Sequence, residues 1–425
     1  MPEPVATLRL GDDERAMLAG GRGAAAQRAM RIVVDAARLL GADRLVEIAS
    51  AHIDGCLYHG DGGVLFAELL VADGGRVAVP TTLNVGALDL VHHGRVRLTG
   101  HEAAMAARMT RAYEALGCRP SWTCAPYQAG HRPALGQHVA WGESNAIVFC
   151  NSVLGARTAR YGDFLDICCA LIGRAPNVGL HRDEARRATV TIDAGGLPRA
   201  LVEDEAFYPV LGAWLGRETG GAVAAIVGLP PRIEEDRLKA LGAAAASTGA
   251  VGLFHVVGCT PEAPDLATAG GGAEPRARVA LTTAMLRGAR ATLSTHPLDE
   301  GAAIDAVAIG SPHLSHDEIQ RLLGLLAGRR SRVTFYACTG RHVLDALSGS
   351  EVAALAAAGI DLVVDTCVVV TPIFADGRGV VMTNSGKFAH YMKPNTGRDV
   401  VFGTLADCVE SAVAGRLVRD ERTWS

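Results

Sequence analysis

Apolar and polar positions along the chain switch repeatedly between a helical and an extended pattern. Apolar residues spaced three and four apart predict helices over 14–40, 101–116, 160–172, 203–215, 232–248, 351–358 and 405–418. Gly20-Gly21 and Gly23 interrupt the first of these, and Gly359 is placed to end the helix at 351–358. Short apolar runs bounded by turn residues predict strands over 44–51, 76–80, 146–150, 188–192, 222–227, 251–257, 291–293, 306–309, 332–337 and 363–370, with 360–364 also strand-like. Strands alternating with helices predict an α/β protein. At 425 residues the chain is too long for one core. It divides into a first α/β lobe at 1–175 with most of the polar motifs, a middle α/β lobe at 176–300 and a C-terminal α/β lobe at 301–425.

Composition narrows the class. With 49% hydrophobic and 20% charged residues the chain reads as globular. A net charge of -4 without a basic tract points away from nucleic acid and from anionic membranes. The first ten residues lack the charged and apolar regions of a signal peptide. Apolar runs such as 222–229 are much shorter than the ~20 residues that span a bilayer. The expectation is a soluble, cytoplasmic protein.

Only three of the 41 basic residues are lysines: Lys239, Lys387 and Lys393. Where any cation serves, this composition favours arginine, so a retained lysine suggests a need for a compact ammonium with a movable proton. Lys387 is the candidate, in Ser385-Gly386-Lys387. Lys239 falls on a helical face expected to be solvated.

The densest chemistry lies at 121–158, where Cys124, Glu143, Ser144, Asn145, Asn151 and Arg157 punctuate apolar runs. Cys124 precedes Ala125-Pro126-Tyr127, which excludes it from a helix interior or a central strand. The chain has ten cysteines and no CxxC pair. Cys150, Cys168, Cys169 and Cys408 sit among apolar neighbours and read as core. Cys338 and Cys367 follow strand-like runs, and strand ends of open α/β sheets face the ligand crevice. Three thiolates on a four-iron cluster would leave one iron open as a Lewis acid. Spacing alone leaves core and ligand readings both standing. His92, His93, His131 and His138 have no metal-binding spacing and read as solvated or structural, whereas His313 in Ser311-Pro312-His313 suggests more.

Six motifs, in order along the chain, carry a resemblance: Ser50-Ala51-His52-Ile53-Asp54-Gly55, Val79-Pro80-Thr81-Thr82-Leu83-Asn84, Thr123-Cys124-Ala125-Pro126-Tyr127, Asn151-Ser152-Val153-Leu154-Gly155-Ala156-Arg157-Thr158, Gly310-Ser311-Pro312-His313 and Ser385-Gly386-Lys387. Together they resemble the large subunit of aconitase X. The resemblance implies an aconitase-like arrangement of several α/β lobes around a central cleft, lacking the small swivelling domain, which a separate small subunit would supply. It implies a hydro-lyase with Cys124, Cys338 and Cys367 as metal ligands. The cofactor is an iron-sulfur cluster, 2Fe-2S or 4Fe-4S, or mononuclear iron.

Eliminating water from a small hydroxy acid needs a base and help for hydroxide as leaving group. Lys387 and Glu143 are candidates for moving protons. His52, Thr82, Asn84, Ser144, Asn145, Asn151 and Arg157 are candidates for holding the substrate. The resemblance would put a serine base on the small subunit, with Ser385 as the local stand-in. Members resemble either cis-3-hydroxy-L-proline dehydratases, forming pyrroline-2-carboxylate, or phosphomevalonate dehydratases. The absence of a clear phosphate loop favours the imino acid. A non-catalytic scaffold or regulatory protein is the alternative of another class. Structural roles compete at several sites: His52 satisfying a turn, Thr81 and Thr82 capping a helix after Asn84, and Arg157 pairing with Asp163 or Asp166.

Overall fold

Three parallel sheets and one short antiparallel pair organise the computed structural model, which describes residues 7–297, 299–375 and 379–424. The first lobe carries a three-stranded sheet in the order Thr81–Leu83, Ala51–Ile53, Ala140–Trp141. A four-stranded sheet follows in the order Phe254–Val256, Ala224–Val227, Val190–Asp193, Ala277–Ala280. The last sheet has five strands, in the order Ile360–Val364, Thr334–Thr339, Ala306–Leu314, Val380–Thr383, Asp399–Phe402. Near-continuous burial along Ala306–Leu314 is what a strand covered on both faces requires.

In each parallel sheet the earliest strand lies inside, with later strands added on both sides. The reversal of winding opens a crevice beyond the carboxyl ends of the two strands that flank it. In the five-stranded sheet those strands are Ala306–Leu314 and Val380–Thr383, which lead into His313 and into Ser385-Gly386-Lys387. In the first sheet they are Ala51–Ile53 and Ala140–Trp141, which lead into Asp54 and Glu143.

The helix Glu235–Thr248 joins the lobes. It is buried over most of its circumference and packs on Phe207–Thr219, Ser144–Phe149 and Gly386–Thr396. Glycines permit this closeness. A Cβ on Gly212 would stand 2.2 Å from the Leu241 carbonyl oxygen, and one on Gly386 would meet Ala244 Cβ at 2.9 Å.

Several expected elements shift. The run at 146–150, read as a strand, lies in the helix Ser144–Phe149 and the π-turn Cys150–Leu154. Glu143 caps that helix by accepting from the Ala146 amide (2.7 Å), and full burial removes the polar stripe that marks a helix. The strand expected at 76–80 forms later, at Thr81–Leu83, so Thr81 and Thr82 pair in a sheet and cap nothing. The 44–51 run splits into strands of two different sheets. The 291–293 run ends the helix Thr283–Ala291 and is not a strand. Strand 363–370 stops at Val364, where Asp365 turns with φ 66°. Lys239, expected on a solvated face, is 2% exposed and paired with Asp236 and Glu318.

Candidate active site

The carboxyl ends of the first and last sheets meet, and their side chains interlock. The Lys387 ammonium donates to Glu143 Oε1, with the Glu143 side chain buried and that of Lys387 mostly so. The His313 amide donates to Cys124 Sγ at 3.2 Å. The Gly86 amide donates to the Asp365 carbonyl at 2.8 Å. These contacts bring Cys124, Cys338, Cys367, Glu143 and Lys387 into one region, although they lie 263 positions apart at the extremes.

Cys338 and Cys367 are hydrogen-bonded to each other, and both feel the charge environment of Cys124 or Lys387. Burial alone would raise the Cys367 thiol. Its bond with Cys338, the Val369 amide and the nearby Lys387 outweigh that, so its pKa falls below the ordinary thiol value. Burial raises Cys338 well above that value, and its bond to Cys367 adds to the effect. Burial pushes Cys124 up to about 12 against the opposing pull of Lys387.

Backbone strain marks the same place. Among the described residues, four that are not glycine have left-handed φ, and two of them, Trp122 (43°) and Asp365 (66°), each stand two positions before one of these cysteines. Such strain persists only where surrounding contacts enforce it. Here Arg341 grips Asp365 through two bonds of 2.6 and 2.9 Å. Gly310, at φ 93°, lies so close behind Cys338 that a Cβ would fall 2.1 Å from its carbonyl oxygen.

A polar rim surrounds the cysteines. Asn145 Nδ2 donates to the Cys124 carbonyl (3.1 Å) and to the Tyr127 hydroxyl (3.0 Å). Ser144 Oγ donates to Glu143 Oε1 at 3.2 Å. Asn84 Nδ2 donates to Asp54 Oδ1, and Asp166 Oδ2 accepts from the Asp54 amide at 2.7 Å. Burial first, then repulsion from Glu143, Asp163 and Asp166, raises Asp54 to about 7. Burial raises Asp166 to about 6 in spite of its backbone donors. The buried polar atoms without a hydrogen-bond partner among the described residues include Asn84 Oδ1, Asn145 Oδ1, His52 Nε2 and His131 Nε2 on this rim. Buried acceptors are seldom left bare in a finished structure, so these atoms suit a bound ligand.

Other expected site residues are held by further contacts. His52 sits in a buried strand rather than a turn, with Nδ1 2.8 Å from Thr82 Oγ1. Thr82 Oγ1 also lies 2.7 Å from Nδ1 of His131, so His131 belongs to this rim rather than to solvent. Ser385 Oγ donates to the Ser311 carbonyl and accepts from the Phe388 amide at 3.1 Å, which caps the helix Gly386–Thr396.

Asn151 and Arg157 are not brought to the cysteines. Asn151 is saturated by Thr158, Gly252 and Arg186. Arg157 pairs with Asp183, not with Asp163 or Asp166, and lines a separate cavity of about 520 Å³ with His138 and His181. The π-turn Cys150–Leu154 redirects the chain and carries both residues off the rim. A larger cavity, of about 710 Å³, opens between the lobes beside Tyr127, Gln128, Asp236, Ser315 and His342. None of the three cysteines lines it.

Spacing did not single out Asp166, Thr123 or Thr366. Thr123 Oγ1 and the Thr366 carbonyl hold the two ring nitrogens of His313, each at 3.1 Å. A lone acid inside the apolar run around Asp166 was the available signal, since buried carboxylates need a reason.

Three buried cysteines with one lowered thiol form a donor set that fits iron, because soft thiolates select iron-sulfur centres. Among the described residues no three His, Cys, Asp or Glu side chains stand at ligand spacing; Cys338 and Cys367 bond to each other instead. The donor types fit iron.

Comparison with known proteins gives the family. Residues 7–184 match the aconitase X first domain, 188–291 its second domain and 304–414 its third. The chain is 46% identical over 425 residues to cis-3-hydroxy-L-proline dehydratase of Pseudomonas aeruginosa, covering 98% of this chain and 72% of that protein. It is 38% identical to the Hypocrea jecorina protein of the same name, over 96% and 69% respectively. It is 35% identical to phosphomevalonate dehydratase large subunit of Thermococcus kodakarensis, over 96% and 99%. The crystal structure of Thermococcus kodakaraensis aconitase X in its holo-form superposes with a TM-score of 0.83 at 32% identity, covering 95% of this chain and all of that one. The chain belongs to the aconitase X family.

Proposed function

We propose that this chain is the large subunit of an iron-dependent hydro-lyase that dehydrates cis-3-hydroxy-L-proline, giving pyrroline-2-carboxylate after the enamine tautomerises. The observation that carries the reading is the 46% identity, over nearly the whole chain, to a protein named for that dehydration. The site's charge supports it over a phosphorylated substrate. Asp54, Asp166 and Glu143 crowd one rim, and the nearby Lys387 is already paired with Glu143. Bare acceptors at Asn84 Oδ1 and Asn145 Oδ1 suit the two N–H groups of an imino acid.

Cys124, Cys338 and Cys367 are the residues that would hold the iron centre, which when bound supplies Lewis acidity for the leaving hydroxyl. The chain's own groups have separate tasks. Asn84, Asn145, Ser144, His52 and Thr82 bind and orient the substrate. Glu143 and Lys387 share a proton path, and the fixed ion pair keeps Glu143 Oε1 aimed. Ser385 is tied to backbone on both sides, so the proton-abstracting group is expected from a small-subunit partner, in keeping with the large-subunit name of the Thermococcus relative. Among the described residues no helix is long and apolar enough to cross a membrane.

The test is anaerobic co-expression with a small subunit, followed by assay of iron, sulfide and turnover. Dehydration of cis-3-hydroxy-L-proline with phosphomevalonate left untouched is the expected result. Turnover of phosphomevalonate alone would transfer the chain to the other branch. Iron-free protein inert towards both would leave a scaffold.

A further inference from the structure

Lys239 lies outside the site described above, yet it is almost fully buried and its ammonium is fully engaged. It donates to Asp236 Oδ1 (2.8 Å), Glu318 Oε2 (2.5 Å) and the His313 carbonyl (3.3 Å). Three acceptors use all three ammonium hydrogens. Each acceptor leads to a different part of the molecule. Asp236 also accepts from Gln128 Nε2 (3.1 Å), four residues after Cys124, and from Ser315 Oγ (2.6 Å). Glu318 Oε2 accepts from the Ser315 amide at 2.8 Å. The peptide flanked by these contacts is the one whose His313 amide donates to Cys124 Sγ at 3.2 Å.

The arrangement resembles a guy-rope anchored in the middle lobe. Lys239 stands on the central helix Glu235–Thr248 and holds the 311–315 segment by its carbonyl, while the amide of the same residue meets Cys124. Burying an ammonium beside two carboxylates is a costly way to fill space, and a well-packed apolar side chain would serve stability as well. A planar guanidinium could not send three donors out from one point, which accounts for a lysine in a chain that otherwise uses arginine.

We propose that Lys239 is a positioning residue that sets the 311–315 segment against Cys124 and thereby tunes the iron site. The inference rests on the cysteine assignment proposed above. Hydrogen bonds to a ligating sulfur adjust potential and metal retention, so a loosened His313 amide changes both.

The experiment uses the full chain with Lys239→Met. In the metal-free protein, hydrogen exchange of the 311–315 amides is expected to quicken at least roughly tenfold. After anaerobic loading, iron release is expected to quicken by about 10–100-fold, with a changed electron paramagnetic resonance spectrum. Arg290→Met, which cuts a pair with Glu421 elsewhere, is the control for general destabilisation and should leave both readouts near wild type. If Lys239→Met does not fold, the triple variant with Asp236→Asn and Glu318→Gln removes the stranded charges and still leaves the His313 carbonyl without its donor. Wild-type protection at 311–315 in a folded variant overturns the inference, as does wild-type iron release. If the wild-type protein takes up no iron, the cysteine assignment fails, and the amide exchange alone then decides whether Lys239 positions the segment.

Discussion

Lys387 Nζ donates a hydrogen bond to Glu143 Oε1 across a gap of 244 residues, joining the ends of two parallel sheets in one largely buried ion pair. Glu143 also caps the helix Ser144–Phe149, so one carboxylate holds both a local and a long-range contact.

Removing one member of this pair leaves a charge stranded in the interior. Lys387→Met is expected to destabilise the protein by about 3–5 kcal/mol, the usual penalty for breaking a buried pair. The double variant Lys387→Met with Glu143→Gln should recover part of that loss, because no charge is then left unpaired. Urea denaturation of the single and double variants measures the recovery, and strict additivity would show that the pair is not coupled.

Asp54 and Asp166 make stability fall as pH rises. Both have folded pKa values raised above the ordinary aspartate value, to about 7 and about 6. Between about 4 and 7 the folded protein therefore holds more protons than the unfolded chain, and these two groups favour folding less with each step towards neutrality. A tenfold difference in proton affinity between the two states corresponds to about 1.4 kcal/mol. Asp54→Asn keeps an acceptor for Asn84 and removes the titration. Its denaturation midpoint should decline less between pH 5 and 8 than that of the wild type.

Gly310→Ala should be severely disruptive despite adding one methyl group. At φ 93° and 2.1 Å from the Cys338 carbonyl, the new Cβ forces the backbone behind that cysteine to move. A loss above about 3 kcal/mol is expected, from strain and overpacking together. Thermal melting and iron content, measured on the same preparation, check it. A variant that melts and loads like wild type would contradict the packing described.

The cysteines should divide cleanly. Alanine at Cys124, Cys338 or Cys367 is expected to abolish the iron-sulfur absorption band after anaerobic reconstitution. Alanine at Cys150, which packs with Tyr127 and Phe149, should leave the band and cost about 1 kcal/mol of stability. A band surviving Cys367→Ala would remove that thiol from the ligand set.

Much of this was legible in the chain, for reasons that differ by residue. Cys338 and Cys367 became candidates because strand-like runs lead up to them; in the fold Cys338 lies near the carboxyl end of the strand Thr334–Thr339 and Cys367 just beyond Ile360–Val364. Lys387 stood out because lysine is rare here. The helix Ser144–Phe149 was hidden by complete burial, which erases periodicity. Asn151 and Arg157 read as site residues because they are polar and near Cys124 in sequence, but Asn151 lies within the π-turn Cys150–Leu154 and Arg157 just after it, and their contacts point elsewhere. Lys239 was unreadable because Glu318, the partner that justifies its burial, lies 79 residues further along the chain.

The bond from His313 to Cys124 spans 189 residues, which gives the site a history in time as well as a place in space. The first lobe has its own apolar core and can form while the rest is still being made. At roughly 5–20 residues per second, Cys124 waits about 10–40 seconds on the ribosome before its donor exists. Its two partner thiols emerge later still. Of the three proposed iron ligands, a nascent chain that ends before Cys338 presents only Cys124, so the proposed site is complete only once Cys367 has emerged.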